Sequence, residues 1–241
     1  ITKTFAMDKT VHIIQKFGFA VSMHSSRTYG HELINSEGKR TWNTSDGMFY
    51  LYDADEEQYG GGYWATVDLT RLPGITAEHL VFNDGTGDRT KNIYAWTGGA
   101  SIDSFGAAGT HMRTLGQVNS STRSGTDVKK SYFMFDDRIV MMGSDITSST
   151  GNGVETIVDN RKLLRDGSNV VTVDGKTPAL TDSPAEFSPA WIHVTGNVAG
   201  ADVGYYFPEE STVKAIKEER TGDWSAQGAT SGTETNYFAT F

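Results

Sequence analysis

The feature of this sequence that most constrains its fold is a succession of short apolar runs separated by turn-forming residues. In 17–24, apolar side chains occupy every second position (Phe17, Phe19, Val21 and Met23), which is the period of a half-buried β-strand. Similar runs follow at 47–52, 131–135, 138–142, 154–158, 170–173, 190–194 and 203–207. Turn residues such as Asp136-Asp137 separate them. We therefore predict an all-β fold of antiparallel strands, arranged as a sandwich.

Two stretches, 83–130 and 225–234, are rich in small polar residues and lack a regular pattern, so we predict loops there. Loops as long as the first are usually functional or disordered. No internal repeat and no clear linker interrupts the chain, which favours a single domain over 1–241. The last run, 236–241, resembles a strand that stops without a turn, and the chain opens on Ile1 rather than Met. Both features suggest a piece of a longer protein.

Composition excludes several classes of function. There is no cysteine, which rules out disulfides, thiolate metal ligands and a cysteine nucleophile. The net charge of −9, from 30 acidic and 21 basic residues, argues against a nucleic-acid partner. The six histidines lack the close spacing of metal ligands, so we predict no metal and no cofactor. No apolar stretch approaches the roughly 18 residues of a membrane-spanning helix, and the first residues do not form a signal peptide.

The densest group of polar and aromatic side chains lies in 27–42, between the first two predicted strands. It comprises Arg27, Tyr29, His31, Glu32, Asn35, Glu37, Lys39, Arg40 and Trp42. Aromatic rings stack on the apolar face of a pyranose, and fixed polar groups bind its hydroxyls. Because loops on a rigid β scaffold often carry binding groups, sugar binding is one interpretation of this loop. An ordinary solvated surface loop is the other.

Several strings across the chain resemble the central-domain signature of polysaccharide lyase family 8, which contains hyaluronate, chondroitin AC and xanthan lyases. In order, they are 32–38 (ELINSEG), Trp42, 45–52 (SDGMFYLY), 63–64 (YW), 66–67 (TV), 71–74 (RLPG), 131–137 (SYFMFDD), 155–156 (ET), 160–162 (NRK), 204–208 (GYYFP) and 220–224 (RTGDW). Together they cover nearly the whole chain. The resemblance therefore concerns the complete sequence rather than one motif.

The resemblance implies a fold, a larger protein and a reaction. Family members are similar in having an N-terminal α/α toroid, a central antiparallel β-supersandwich of the galactose-mutarotase type and a smaller C-terminal β domain. This chain would be the central domain alone. The family implies a secreted bacterial enzyme that cleaves acidic polysaccharides (chondroitin, hyaluronan or xanthan) by β-elimination. Its toroid supplies the catalytic Asn, His, Tyr and Arg, so the toroid is an expected partner, and it would line most of the groove for the polyanion.

Two residues of this chain match functional positions of the family. Glu32 matches the glutamate that the central domain contributes to the cleft, where it would orient or charge-balance the toroid's Arg and Tyr. Asn35 matches the sugar-contacting asparagine three residues later. The resemblance thus assigns a catalytic role to Glu32 and a substrate-binding role to Asn35.

Further candidates for substrate binding are Arg27, Trp42 and Arg161. Arg161 and the adjacent Lys162 fit a solvated strand end equally well. Glu37 is expected to hold its loop through backbone N–H groups, as carboxylates often do. The acidic run 53–57 lacks the glycine of a calcium-binding loop and is interpreted as a solvated turn.

The substrate and even the class of function stay open. No basic residue in 225–233 could meet the pyruvylated mannose of xanthan, which favours a glycosaminoglycan substrate (chondroitin or hyaluronan). The alternatives are a xanthan lyase acting on mannosyl–glucuronate side chains, a non-catalytic carbohydrate-binding domain and a hydrolase with paired carboxylates. Their products separate them: a lyase leaves an unsaturated uronate, a hydrolase leaves an ordinary reducing end, and a binding domain leaves nothing.

Overall fold

In the computed structural model, which describes residues 1–116 and 123–241, nearly all regular structure is β. The strands are β1 (Thr2–Phe5), β2 (Lys9–Ile13), β3 (Gly18–Ser22), β4 (Met48–Tyr52), β5 (Thr76–Glu78), β6 (Thr97–Ile102), β7 (Phe105–Arg113), β8 (Asp127–Phe135), β9 (Arg138–Thr147), β10 (Val154–Thr156), β11 (Asn160–Lys162), β12 (Val171–Val173), β13 (Ala185–Phe187), β14 (Trp191–Val194), β15 (Val203–Tyr206), β16 (Val213–Asp223) and β17 (Thr233–Thr240). The described helices are the four-residue α1 (Tyr63–Thr66) and a 3-10 helix at Trp224–Ala226. The all-β prediction is confirmed.

The N-terminal half contains two antiparallel sheets, ordered β1-β2-β3-β4 and β6-β7-β8-β9. Their facing side chains form one apolar core, because alternate residues of each strand point between the sheets. Its buried members are Phe19, Val21, Met23, Phe49, Ala108, Tyr132 and Met134. The predicted tight turn between β8 and β9 is confirmed, since Phe135 pairs with Arg138 across it.

The C-terminal half adds sheets ordered β11-β17-β16-β13 and β12-β14-β15, and β5 pairs with β10. A second core lies between them, with Leu163, Val171, Val173, Ile192, Val194, Val213, Ala215, Ala239 and Phe241. A third joins the two halves and runs from Trp42 and Met48 through α1 to Phe238. The loop that carries the candidate site therefore emerges from the packed centre of the molecule.

The prediction of a long loop over 83–130 was right for 83–96 and wrong for 97–113 and 127–130. Strands β6 and β7 and the start of β8 lie inside it, although 117–122 fall outside the described residues. Strands β6 and β7 lack the alternating pattern of bulky apolar residues, because glycine and alanine occupy many of their positions. Close packing requires this: a Cβ on Gly99 would lie 2.5 Å from the Ala107 carbonyl oxygen, and one on Gly106 would lie 2.4 Å from Thr2 Cγ2.

No helix in the described part of the chain is long and apolar enough to cross a bilayer. Over 1–116 and 123–241, no three His, Asp or Glu side chains come close enough together to hold a metal ion.

Candidate functional site

The first half of the candidate loop is a two-stranded ribbon rather than a free loop. After β3, residues 26–31 run antiparallel to 89–94: Gly30 N donates to Thr90 O at 3.0 Å, and Arg89 N donates to His31 O at 3.1 Å. Tyr29 faces Lys91 across the ribbon, with the Lys91 ammonium 5.5 Å from the ring centroid. The ribbon ends at Glu32, so it fixes where that side chain leaves the surface.

The second half begins with a tight turn that exposes Asn35. Ile34 and Glu37 bond to each other through both backbone groups, at 3.1 and 2.8 Å, around two central residues. Those residues, Asn35 and Ser36, have φ values of 52° and 66°, the left-handed pair that a type I′ turn requires. Asparagine tolerates this conformation well, so the backbone itself selects Asn35 and projects its amide into solvent.

Three neighbouring residues anchor this turn to the loop after β16. Glu37 Oε1 accepts from Ala229 N at 3.1 Å, so its carboxylate holds a backbone N–H group of another loop, where the prediction was that it holds its own. Lys39 Nζ donates to the carbonyl oxygens of Ser225 and Gly228, both at 2.8 Å. Gly38 has φ +78°, and a Cβ there would lie 2.5 Å from the Glu32 carbonyl oxygen. We define residues 32–39 as the Glu32 hairpin.

The Glu32 carboxylate lies at the surface in an ion pair. Arg89 Nε donates to Glu32 Oε1 at 2.9 Å, and the two side chains are 47% and 48% exposed. Such pairs add little to stability in water, so the arrangement is not explained by folding energy. An exposed carboxylate on an anchored turn is available to orient basic or hydroxyl groups that approach it.

A buried ion pair supports the ribbon from below. Arg123 Nη1 lies 2.7 Å from Asp46 Oδ1, and neither side chain is exposed to solvent. Gly30 passes directly over this pair, since a Cβ there would come within 1.8 Å of Arg123 Nη2. Burial, reinforced by the nearby Arg123 charge, lowers the pKa of His31 to about 4, so its ring is neutral at pH 7. Sequence reasoning missed Arg123 because no local signal links it to Asp46.

Arg27, a predicted substrate-binding residue, lies at the other end of the ribbon. Its guanidinium pairs with Asp8 at 2.6 Å and also donates to the carbonyl oxygens of Ala95 and Thr97. The side chain remains 49% exposed. Its contacts show that it fixes residues 95–97; a contact with substrate stays a prediction.

Trp42 is in the core, which argues against the predicted sugar contact. It is 2% exposed, its indole N–H donates to Asn83 O at 3.1 Å, and its ring packs edge-on against Phe82. A ring with no free face cannot stack on a pyranose. We assign Trp42 to the packing beneath the loop.

Arg161 is also internal, contrary to both interpretations of its position. It is 4% exposed and lies 2.5 Å from Asp53 Oδ2, whose side chain is 7% exposed. Lys162 is buried as well and donates to the carbonyl oxygens of Glu57 and Gly60. The acidic turn 53–57 is therefore not simply solvated, because Arg161 and Lys162 bind to it. Both side chains are buried there and cannot contact a ligand at the surface.

The known proteins most informative for this chain are polysaccharide lyases. The model for the family "Polysaccharide lyase family 8, super-sandwich domain" matches residues 2–241. A xanthan lyase of Bacillus sp. (strain GL1) is 42% identical over 224 residues, which cover 91% of this chain and 23% of that protein. A hyaluronate lyase of Thermasporomyces composti is 36% identical over 225 residues, covering 91% of this chain and 27% of that protein.

A solved structure gives the same result in three dimensions. The xanthan lyase of Paenibacillus superposes with a TM-score of 0.91 at 38% identity, over 99% of this chain and 23% of that one. The chain therefore spans about a quarter of the length of the relatives it matches. The predicted supersandwich architecture is confirmed by the family match.

Proposed function

The chain belongs to polysaccharide lyase family 8, and from this we propose that it is the central β domain of a longer lyase acting on uronate-containing polysaccharides. The observation that carries the proposal is the match over residues 2–241, together with relatives four times as long that are named as lyases. The other parts of that protein would be an N-terminal α/α toroid and a C-terminal β domain. We further propose that it is secreted, because its substrates would be extracellular polymers.

The reaction is a β-elimination at the uronate. A base removes the C5 proton, which is acidic because C5 is α to the carboxylate. The C4–O bond then breaks, the C4–C5 double bond forms, and the departing oxygen takes up a proton. Catalysis needs a group that neutralises the carboxylate, a base and an acid, all within hydrogen-bond reach. We assign those groups to the toroid.

The contribution of this chain would be the Glu32 hairpin. The Glu32 carboxylate would orient a basic or hydroxyl group of the toroid, as it already holds Arg89. Asn35 would bind a sugar hydroxyl or carbonyl with its exposed amide, since its turn projects it away from the domain. An anchored hairpin limits the motion of both groups, and such positioning is what a shared site between two domains requires.

Two substrate classes fit this proposal. The lack of a basic residue in 225–233 favours a glycosaminoglycan such as chondroitin or hyaluronan. Xanthan is the second candidate, because the xanthan lyase is 42% identical and the hyaluronate lyase 36%. The fold also weakens the first argument, since Lys39 reaches the 225–228 loop from the Glu32 hairpin.

The test is the far-ultraviolet absorbance of chondroitin, hyaluronan and xanthan, each incubated separately with the longer protein. A rise with one or two polymers, caused by the unsaturated uronate, is the expected result and names the substrate. New reducing ends without a rise would indicate a hydrolase. No product from any polymer, with the protein folded, would indicate a binding domain and would remove Glu32 from the catalytic groups.

A further inference from the structure

Trp96 is an exposed aromatic ring held in a fixed position. It is 60% exposed, yet its six-membered ring rests on Gly109, where an added Cβ would come within 2.6 Å of Trp96 Cη2. The segment on either side is tied down, because Arg27 donates to Ala95 O at 2.6 Å and to Thr97 O at 2.9 Å. The ring is thus in place before any ligand arrives, with most of its surface open to solvent.

Polar groups continue from this ring along β7. Ala108 and Met112 point into the core, so alternation places Gly109, His111 and Arg113 together on the opposite, outer face of the sheet. Residues two apart on a strand are separated by about 7 Å. An indole, an imidazole and a guanidinium therefore follow one another in a row along one strand.

Asp127, on the neighbouring β8, holds the polar part of this row. Its carboxylate accepts from Tyr94 Oη at 2.5 Å, from His111 Nε2 at 2.7 Å and from Arg113 Nη2 at 2.6 Å. The Tyr94 ring also stacks on His111, with centroids 3.5 Å apart. Partial burial would raise the pKa of Asp127, but the hydrogen bonds from Tyr94, Arg113 and His111 keep it below its ordinary value. The Asp127 carboxylate therefore holds the side chains of Tyr94, His111 and Arg113 in fixed positions.

The charge of this surface differs from that of the whole protein. Arg113 is 35% exposed, and Lys129, which pairs with His111 across the β7–β8 register, is 46% exposed. Lys129 is bound at 2.6 Å to Asp145, whose side chain is 68% exposed and can leave when another anion competes. Arg113 and Lys129 are each paired with one carboxylate, Asp127 and Asp145, so the charges beside the aromatic platform balance although the whole chain carries a net charge of −9.

We propose that Trp96, His111 and Arg113 form a second binding surface, additional to the Glu32 hairpin, for an anionic oligosaccharide. A pyranose ring would stack on Trp96, and its carboxylate or sulfate would accept from the Nη1 group of Arg113, since Nε and Nη2 of that side chain donate to Asp127. The choice of an anionic sugar rests on the proposed function. The aromatic platform itself rests on the contact of Trp96 with Gly109 and on the bonds from Arg27 to residues 95 and 97. This surface would hold the polymer while the hairpin engages the residue to be cleaved.

The test is calorimetric titration of the protein with hexasaccharides of hyaluronan and chondroitin, and with cellohexaose as a neutral probe. Trp96→Ala is expected to weaken binding of at least one anionic oligosaccharide about tenfold or more, as loss of a buried aromatic anchor does. Trp191→Ala is the matched control, because Trp191 is 38% exposed on β14 of another sheet. It should change the dissociation constant less than about twofold. Arg113→Gln should weaken the anionic ligands alone.

Three results would overturn the proposal: Trp96→Ala binding like wild type, equal binding of cellohexaose, or no saturable binding of any oligosaccharide. Circular dichroism of each variant separates lost binding from lost folding, and Trp96→Phe should restore part of the affinity because it keeps a ring. Asn35→Gly distinguishes the two surfaces. If that change alone abolished binding, the second surface would be refuted while the proposed function stood; absence of unsaturated product in the polymer assay would refute the function instead.

Discussion

The Nη1 group of Arg123 donates to both oxygens of Asp46, at 2.7 and 3.1 Å, and neither side chain is exposed to solvent. The pair lies under Gly30, so it supports the ribbon that leads to Glu32. A charge this deeply buried has no water to replace a lost partner. The position of the Glu32 hairpin therefore depends on the Arg123–Asp46 ion pair, which is buried and cannot contact a ligand.

Removal of Arg123 should destabilise the protein strongly. Arg123→Met leaves the Asp46 carboxylate buried without its partner, and the free energy of unfolding is expected to fall by about 3–5 kcal/mol. Urea denaturation at pH 7 measures it. The matched control is Arg40→Met, which breaks a pair with Asp84 whose side chains are 42% and 48% exposed. That change should cost less than about 1 kcal/mol. Similar small losses in both variants would contradict the assigned role.

Stability should fall as the pH is lowered through the range set by His31. Its pKa is lowered from 6.5 to about 4, chiefly by burial and then by Arg123, against the opposing charge of Asp46. Between these two values the unfolded chain binds a proton that the folded chain does not, so acid favours unfolding. The slope for one histidine is at most about 1.4 kcal/mol per pH unit.

Urea denaturation between pH 7 and pH 4 checks this prediction. Buried His24 adds to the same trend, because burial lowers its pKa to about 3. His31→Gln should therefore flatten the dependence without abolishing it. An unchanged slope in that variant would show that folding does not lower the pKa of His31.

The turn at residues 34–37 allows a binding residue to be tested apart from the backbone. Ser36 has φ 66°, which favours glycine, so Ser36→Gly should stabilise the protein by up to about 1 kcal/mol and leave KM unchanged. Asn35→Gly keeps the turn but removes the exposed amide, and KM for the polymer should rise. Steady-state kinetics of the longer protein measure both. Equal KM values for the two variants would exclude Asn35 from substrate binding.

Substitution by alanine should reduce stability strongly at Trp42 and only weakly at Trp96. Trp42 is 2% exposed and packed against Phe82, so Trp42→Ala should cost about 3–5 kcal/mol of stability. Trp96 is 60% exposed but rests on Gly109, so Trp96→Ala should cost less than that, about 1–2 kcal/mol. Thermal and urea unfolding compare them directly. A small loss for Trp42→Ala would restore it as a candidate for sugar stacking.

Local pattern predicted the strands because alternation reflects the two faces of a sheet, as in Phe19 and Val21 of β3. It failed for β6 and β7, where close packing demands glycine, for example Gly106 against Thr2. Glu37 shows the limit of local rules, because its carboxylate accepts from Ala229 N, 192 residues later in the chain, and not from a backbone N–H of its own turn.

Side-chain destinations were harder to predict, because long-range contacts decide them. Arg161 is buried and pairs with Asp53, which lies 108 residues earlier in the chain. The sequence around Trp42 is consistent with sugar stacking, but its contact with Phe82, 40 residues later, belongs to the core. The role proposed for Glu32 rests on the family motif, since no composition or spacing rule singles out one exposed carboxylate.

The most direct test of the account is the turnover of Glu32→Ala in the longer protein, on the polymer that gives the largest absorbance rise. We expect kcat to fall about a hundredfold or more, because a group that orients the catalytic residues is lost. Asp137→Ala, an exposed acid paired with Arg138 at the β8–β9 turn, should leave kcat unchanged. If kcat of Glu32→Ala stayed within a few-fold of wild type, Glu32 would be part of the scaffold and the central claim would be wrong.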